Sequence, residues 1–186
     1  MAIQINNNLR DRAYDNACKH GFHDKEYSDE HWLMLILTEI GEAVNAHRKG
    51  KHADVSEYNR VNEMSIKRTG NPKYINKSIF NNCIKDSVED ELADVVIRCL
   101  DFAGLKKIDI EQEEYKCKDD GSSFTDKMYW SCYSLCCEDF DLSEKIGEVL
   151  IDIFQVASCY KIDLLWFIEQ KMRYNELREP MHGKKY

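Results

Sequence analysis

The sequence has few of the residues that interrupt helices. Its 186 residues include two prolines, Pro72 and Pro180, and eight glycines. Because proline and glycine mark turns, this scarcity argues against a β fold built from many short strands. The chain also lacks any run of about 18 apolar residues, so we expect no membrane-spanning helix. These absences predict long helices joined by few turns.

The sequence also lacks an excess of positive charge. It carries 26 Lys plus Arg against 34 Asp plus Glu, a formal net charge of −8. Proteins that bind duplex nucleic acid or anionic membranes normally present a basic face. We therefore expect neither nucleic acid nor a membrane as partner, whereas a small basic pocket for phosphates is compatible with this charge.

The eight cysteines form no C-x-x-C pair and have no histidines at zinc-finger spacing. Cys132, Cys136 and Cys137 leave a metal site as an alternative that their spacing disfavours. The first residues show no basic region followed by an apolar run, so we expect no secretion signal. These features predict a cytoplasmic protein with reduced cysteines.

Length and composition predict a single domain over residues 1–186. Apolar periodicity predicts an all-α bundle of about five to seven helices. Segment 51–82 is polar and weakly periodic, which favours a loop with short helical pieces. The Asp141/Glu144 spacing predicts a capping box, and a second one is predicted to open a helix at Asp109. The main predicted helices cover residues 3–20, 31–47, 84–105, 125–138, 142–160 and 163–179.

The helix predicted over 31–47 carries two acidic residues on an otherwise apolar surface. Glu39 and Glu42 are three residues apart and therefore point the same way. The apolar rows beside them predict a buried helix. Two ionised carboxylates inside a bundle cost several kcal/mol unless a cation or donors compensate them. The pattern therefore calls for a cation.

A second acidic pair, Glu91 and Asp94, lies in the helix predicted over 84–105. A solvated helix face is the alternative here, because Ser87, Arg98 and Asp101 share that side. If the two acidic helices pack face to face, four carboxylates converge. Such hard ligands suit Mg²⁺, or Mn²⁺ in its place, together with substrate phosphates. That combination is typical of phosphoanhydride hydrolysis.

Three polar residues follow one stripe of the last predicted helix. Lys171, Asn175 and Arg178 offer a cation, an amide and a guanidinium, which are groups that bind phosphate. An exposed helix face is the alternative for all three. A di-iron bundle is disfavoured because neither acidic pair has the Glu-x-x-His spacing, and His47 lies too far beyond Glu42.

One stretch of the sequence is echoed. ADVVIRCLDFAGLKKIDI, residues 93–110, matches GEVLIDIFQVASCYKIDL, residues 147–164, at a constant offset. Lys145 takes the place of Glu91, and Glu148 that of Asp94. We interpret the two stretches as similar helix-to-helix corners, not as a repeat array.

Glu39-x-x-Glu42 followed by Glu91-x-x-Asp94 resembles the E-x-x-E … E-x-x-D signature of the all-α nucleoside triphosphate pyrophosphohydrolases, the MazG-like group. The stretches TEIGEAV and DELADVVI are similar to that family's metal-ligand segments. The tail KMRYNELREPMHGKKY is similar to its closing segment. The three blocks stand in the family's order, each in a helical context.

The resemblance implies a hydrolase that cleaves a nucleoside triphosphate between its α and β phosphates, giving the monophosphate and pyrophosphate. It implies Mg²⁺ held by Glu39, Glu42, Glu91 and Asp94, with Glu42 orienting or deprotonating the attacking water. It also implies phosphate contacts from the stripe that begins at Lys171, and a homodimer or homotetramer.

This chain departs from the family pattern in three places. Relatives often carry Glu directly before the first motif, where this chain has Thr38, and one metal ion is therefore expected in preference to two. Segments 51–82 and 111–141 are interpreted as insertions that cap the base pocket or alter assembly. Trp32 either stacks on a base or belongs to the core.

Three alternatives to a general nucleoside triphosphate pyrophosphohydrolase stay open. A deoxypyrimidine triphosphatase or a phosphoribosyl-ATP pyrophosphohydrolase would be a narrower enzyme of the same kind. A non-catalytic, nucleotide-binding regulatory module would be a different class of protein. The four carboxylates argue against the last alternative, because a purely structural bundle gains nothing from unpaired acids in its core.

Overall fold

The computed structural model describes residues 5–71, 74–110 and 121–179, and the regular structure in these ranges is helical throughout. The all-α prediction is confirmed. The described ranges contain more helices than the five to seven expected, because segment 51–82 contributes two. The helices are α1 (Asn7–Lys19), α2 (Asp29–Arg48), α3 (Val55–Thr69), α4 (Lys77–Cys83), α5 (Val88–Lys106), α6 (Phe124–Cys136), α7 (Leu142–Cys159) and α8 (Leu164–Asn175).

Side-chain caps determine where the helices begin. Ser28 and Ser87 each accept a hydrogen bond from the backbone N–H three residues further on, at the starts of α2 and α5. The capping box predicted at Asp141 and Glu144 is confirmed at the start of α7. The end of α8 differs from the prediction, because the helix stops at Asn175 and not just before the proline.

Helix α5 lies at the centre of the bundle and packs against α1, α2, α7 and α8. Its apolar residues, such as Leu92, Val96 and Leu100, are fully buried. A helix that is surrounded on several sides also carries its polar residues into the interior. This central position is what buries the acidic residues of α5.

The described part of segment 51–82 is more helical than its sequence suggests, and the prediction of a loop with short helical pieces is wrong for the 15-residue helix α3. Its buried face consists of Tyr58, Asn62 and Ser65. Two of these three residues are polar, which explains the weak apolar periodicity. Tyr58 contacts the core edge-to-face with Phe80 of α4 and donates a hydrogen bond to Gln170.

A single hydrophobic cluster contains buried residues from both segments interpreted as insertions. Tyr58 and Phe80 come from segment 51–82, and Phe124 and Met128 come from α6. The described parts of both segments therefore help to build the same core as the acidic helices. Residues 111–120 lie outside the described ranges, and with them most of the helix predicted to open at Asp109.

The two echoed corners end their helices in the same way. Lys107 after α5 and Lys161 after α7 adopt left-handed conformations with φ of 58° and 57°. The following N–H groups, of Ile108 and Ile162, reach back to carbonyls five residues earlier at 2.9 and 2.8 Å. This pattern is a Schellman-type end. The predicted similarity of the two helix ends is confirmed.

The cysteines differ from the expectation at one position. Cys159 is disulfide-bonded, so the prediction that every cysteine is reduced is wrong there. Cys132, Cys136 and Cys137 are free. Among the described residues, the groups with three or more suitably placed metal ligands consist of carboxylates alone. Within the same ranges, no helix combines the length and apolar character needed to cross a membrane.

Candidate metal centre

Helices α2 and α5 pack against each other and bring together three carboxylates from the two predicted pairs. Glu39, Glu91 and Asp94 each offer one oxygen, and these oxygens lie within 4.8 Å of one another. Oxygens on opposite sides of a bound Mg²⁺ or Ca²⁺ are about 4–5 Å apart. The group is therefore compact enough to hold one divalent ion.

Glu42, the fourth predicted ligand, lies outside this group. Its side chain is exposed, and it borders a cleft together with Glu91. The two groups are nevertheless close enough for the charge of Glu42 to raise the pKa of Glu91. The predicted ligand set is thus split into three carboxylates that converge and one at the edge of the neighbouring cleft.

Lys171 is the main counter-charge of this centre. Its buried ammonium lies 2.7 Å from Oδ2 of both Asp90 and Asp94. Burial by itself lowers the pKa of Lys171, but the two carboxylates outweigh it and hold that pKa above its usual value. Asp90 is a residue of the candidate site that the sequence analysis missed, because it lies outside the three-residue spacing of the acidic pairs.

The face of α5 that holds these groups is not solvated. Ser87 is 1% exposed and Asp101 is 3% exposed, and Arg98 is half-buried. The solvated-face alternative is therefore wrong. Each of these polar groups has a partner instead: Asp101 accepts from His23 at 2.7 Å, for example.

Glu39 also has a cation from the chain itself. Arg98 Nε donates to Glu39 Oε1 at 3.1 Å, and the guanidinium lies over the ring of Phe22. Charge-assisted bonds of this kind are shorter and stronger than neutral ones. Arg98 thereby orients Glu39 towards α5, at the border of the acidic group.

Glu91 differs from its neighbours because no cation is paired with it. It forms none of the ion pairs found in the described ranges, although it is 4% exposed. Burial raises the pKa of Glu91 to about 9, and the charges of Asp94 and Asp90 act in the same direction. The charge of Lys171 acts in the opposite direction but does not outweigh burial and the neighbouring carboxylates.

The three residues predicted to bind phosphates, Lys171, Asn175 and Arg178, lie in different surroundings in the structure. Asn175 and Arg178 line a cleft together with Glu39 and Asp94, whereas Lys171 is held between carboxylates. Asn175 is 6% exposed, and its Oδ1 has no hydrogen-bond partner. The exposed-face alternative is wrong for Lys171 and Asn175, which are buried. The phosphate contacts themselves stay predictions.

Two further residues of the acidic helix have defined positions. Trp32 is 3% exposed and stacks between His23 and Phe102, so the core alternative is correct and the base-stacking one is wrong. Thr38, where relatives often carry Glu, is exposed and donates to the carbonyl of Met34 at 3.0 Å.

No family model, curated protein or solved structure matches this chain. The fold and the site define an all-α protein whose buried acidic group can hold a metal ion. The MazG-like resemblance stays a prediction based on the three sequence blocks.

Proposed function

We propose that this protein is a Mg²⁺-dependent, MazG-like nucleoside triphosphate pyrophosphohydrolase. It would cleave between the α and β phosphates and release the monophosphate and pyrophosphate. The observation that carries the proposal is the convergence of Glu39, Glu91 and Asp94 from two helices. A cleft lined by Asn175 and Arg178 adjoins two of these carboxylates.

The donor set fits the proposed ion. Hard carboxylate oxygens favour Mg²⁺, or Mn²⁺ as its substitute, over softer metals. A cation bound beside Glu91 would favour its charged form against burial and the neighbouring carboxylates. A bound ion would neutralise phosphate charge and lower the pKa of a coordinated water.

The chain's own residues then divide the remaining tasks. Glu42 lines a second cleft together with Glu91, and this exposed carboxylate would orient the attacking water or take its proton. Arg178 binds phosphate oxygens. The unpartnered Oδ1 of Asn175 accepts from a water or a substrate hydroxyl. Lys171 holds Asp90 and Asp94 in place.

The nucleoside triphosphate substrate and the assembly as a homodimer or homotetramer rest on the resemblance alone. The cytoplasmic location rests on the cysteine usage of the sequence, to which the disulfide-bonded Cys159 is an exception.

Product analysis tests the proposed reaction directly. We expect pyrophosphate and a nucleoside monophosphate when the protein is incubated with Mg²⁺ and a panel of canonical and modified nucleoside triphosphates. Asp94→Asn and Glu39→Gln should abolish release, and so should chelation of the metal. Glu63→Gln changes an exposed carboxylate on α3 and serves as the matched control, with full activity expected.

The other outcomes separate the alternatives. Tight nucleotide binding without turnover would favour the regulatory module. Release of single phosphates would contradict the proposed cleavage position. Activity confined to deoxypyrimidine triphosphates or to phosphoribosyl-ATP would identify one of the narrower enzymes.

A further inference from the structure

Arg178, which lines the candidate cleft, lies in a turn beyond the last residue of α8. Its backbone N–H donates to the carbonyl of Asn175 at 3.0 Å, which fixes the backbone of the turn but not the long side chain. An arginine side chain loses much rotamer freedom when it binds an anion, unless neighbouring groups already hold it. The groups around the guanidinium therefore affect how strongly this cleft can bind phosphate.

Tyr174 is the neighbour of Arg178 that the rest of the fold holds in place. The central carbon of the Arg178 guanidinium lies 5.9 Å from the centre of the Tyr174 ring, within reach of cation–π attraction. The ring is 7% exposed and stacks on Phe80 of α4, with the two ring centres 4.2 Å apart. Its hydroxyl donates a hydrogen bond to Asn81 Oδ1 at 2.7 Å. Tyr174 is thus fixed by α4 and in turn contacts Arg178.

Helix α4 also contacts the turn that carries Arg178. The ammonium of Lys77, in the first turn of α4, donates to the backbone carbonyl of Leu177. A cation next to the carbonyls at a helix end is a favourable arrangement. Phe80 is fully buried and anchors α4 in the hydrophobic core. Segment 51–82 therefore contacts the end of α8 through a ring, a hydroxyl and a carbonyl.

We propose that α4 positions Arg178 for anion binding, with Asn81 and Tyr174 as the positioning residues. This inference deepens the proposed function and rests on it, because Arg178 is the phosphate contact proposed there. A guanidinium that is held before the anion arrives binds it more tightly, since less freedom is lost on binding. Part of segment 51–82 then has a role other than capping a base pocket or altering assembly.

Calorimetric titration of the full chain with inorganic pyrophosphate in the presence of Mg²⁺ tests this role. Tyr174→Phe keeps the stacked ring and removes only the hydrogen bond to Asn81. One such bond corresponds to about a three- to tenfold change in an equilibrium constant, and we expect the affinity for pyrophosphate to fall by that factor. Arg178→Met should weaken binding further. In the Tyr174→Phe/Arg178→Met double variant, the change at Tyr174 should cause no additional loss.

Tyr58→Phe is the matched control. Tyr58 belongs to the same segment, its ring contacts Phe80, and its hydroxyl donates to Gln170 of α8 at 3.1 Å. The chemical change and the two elements involved are thus the same, but Gln170 lies two helical turns before Arg178. Both Tyr→Phe variants should lose similar stability in urea unfolding, whereas Tyr58→Phe should keep the wild-type affinity for pyrophosphate.

Asn81→Ala removes the same hydrogen bond from its other end. Asn81 is exposed, so the fold should tolerate this change, and the affinity should fall as it does in Tyr174→Phe. An unchanged affinity in Asn81→Ala and Tyr174→Phe would overturn the positioning role. So would an equal loss in Tyr58→Phe, or a loss from Tyr174→Phe that persists without Arg178.

The outcomes also distinguish this inference from the proposed function. A wild-type chain that does not bind pyrophosphate, or that binds it independently of α4, would overturn the inference even if nucleoside triphosphates are hydrolysed. Binding that depends on Tyr174 and Arg178 as expected would support the inference even if no nucleoside triphosphate is hydrolysed, and the proposed function would then fail alone.

Discussion

Helices α5 and α7 have similar sequences and end in the same left-handed conformation, yet the charged residues at their starts differ in burial. In α5, Asp90 and Glu91 are buried. At the equivalent places of α7, Glu144 is exposed in a capping box and Lys145 is half-buried. Helix α5 packs against α1, α2, α7 and α8, whereas α7 packs mainly against α5 and α6. The same pattern therefore yields a polar interior or a polar surface according to the number of neighbours.

The largest expected effect on stability comes from removing Lys171, the cation paired with two carboxylates of α5. Lys171→Met removes the cation paired with the buried Asp90 and the half-buried Asp94, which should lower the free energy of unfolding by about 3–5 kcal/mol. Lys145→Met is the matched change on α7 and should stay within about 0.5 kcal/mol of the wild type. Urea unfolding at neutral pH measures both. Equal losses in the two variants would contradict the difference between the helices.

The next effect is the dependence of stability and metal binding on pH, which follows from the raised pKa of Glu91. Its pKa of about 9 in the folded protein exceeds the usual 4.5, so the folded state binds more protons between these values. Its contribution to stability is therefore present below pH 4.5 and is lost as the pH rises through 9. Mn²⁺ must displace this proton, so its affinity should rise with pH in the same window, by up to about tenfold per unit.

Calorimetric titration of Mn²⁺ in buffers with different ionisation enthalpies measures the protons released. We expect about one proton at neutral pH from this group. Asp141→Asn at the start of α7 provides the control, since it leaves the metal ligands intact and should release the same number. An affinity that does not change with pH would contradict the assignment of Glu91 as an ion ligand.

Loss of the helix caps should give a smaller effect on stability and a different effect on metal binding. Ser87→Ala and Asp141→Ala each remove an N-cap, at a cost of about 1 kcal/mol in thermal or urea unfolding. Ser87 holds the first turn of α5, so only its replacement should also weaken Mn²⁺ binding. Identical Mn²⁺ affinities in the two variants would show that the start of α5 does not position the metal ligands.

The smallest expected effect tests the left-handed helix end that α5 and α7 have in common. Lys107→Gly and Lys161→Gly relieve the strain of a non-glycine residue in the left-handed region, and each should raise the free energy of unfolding by about 0.5 kcal/mol. The two gains should agree within experimental error. Opposite signs would mean that the corners are similar in backbone only.

Much of the helical framework could be predicted because its signals are local. The starts of α2 and α7 follow from Ser28 and the Asp141/Glu144 box, and the apolar rows of α2 and α5 predict that both helices are buried. Helix α3 was missed for an equally local reason. Its buried face includes Asn62 and Ser65, and both accept hydrogen bonds from Asn76, the N-cap of α4.

The candidate site could be predicted only in part. The three-residue spacing of acidic residues identified Glu39, Glu91 and Asp94, which converge. It also suggested Glu42, which the packing of α2 leaves exposed, and it overlooked Asp90, which the packing of α5 buries. Spacing along a helix says which residues share a face, but not which faces are covered.

The sequence by itself determined that the described chain is helical, where about half of its helices begin, and that two helices carry carboxylates among apolar residues. Those properties depend on hydrogen bonds and periodicity within a few residues. Only the tertiary structure decided that Lys171 compensates Asp90 and Asp94, that Arg98 binds Glu39, and that Glu91 forms no ion pair with any described cation. These partners are distant in the chain, and their pairing follows from the packing of α2 and α8 against α5. Burial then makes each charge depend on that packing, because a low-dielectric interior strengthens every charge interaction.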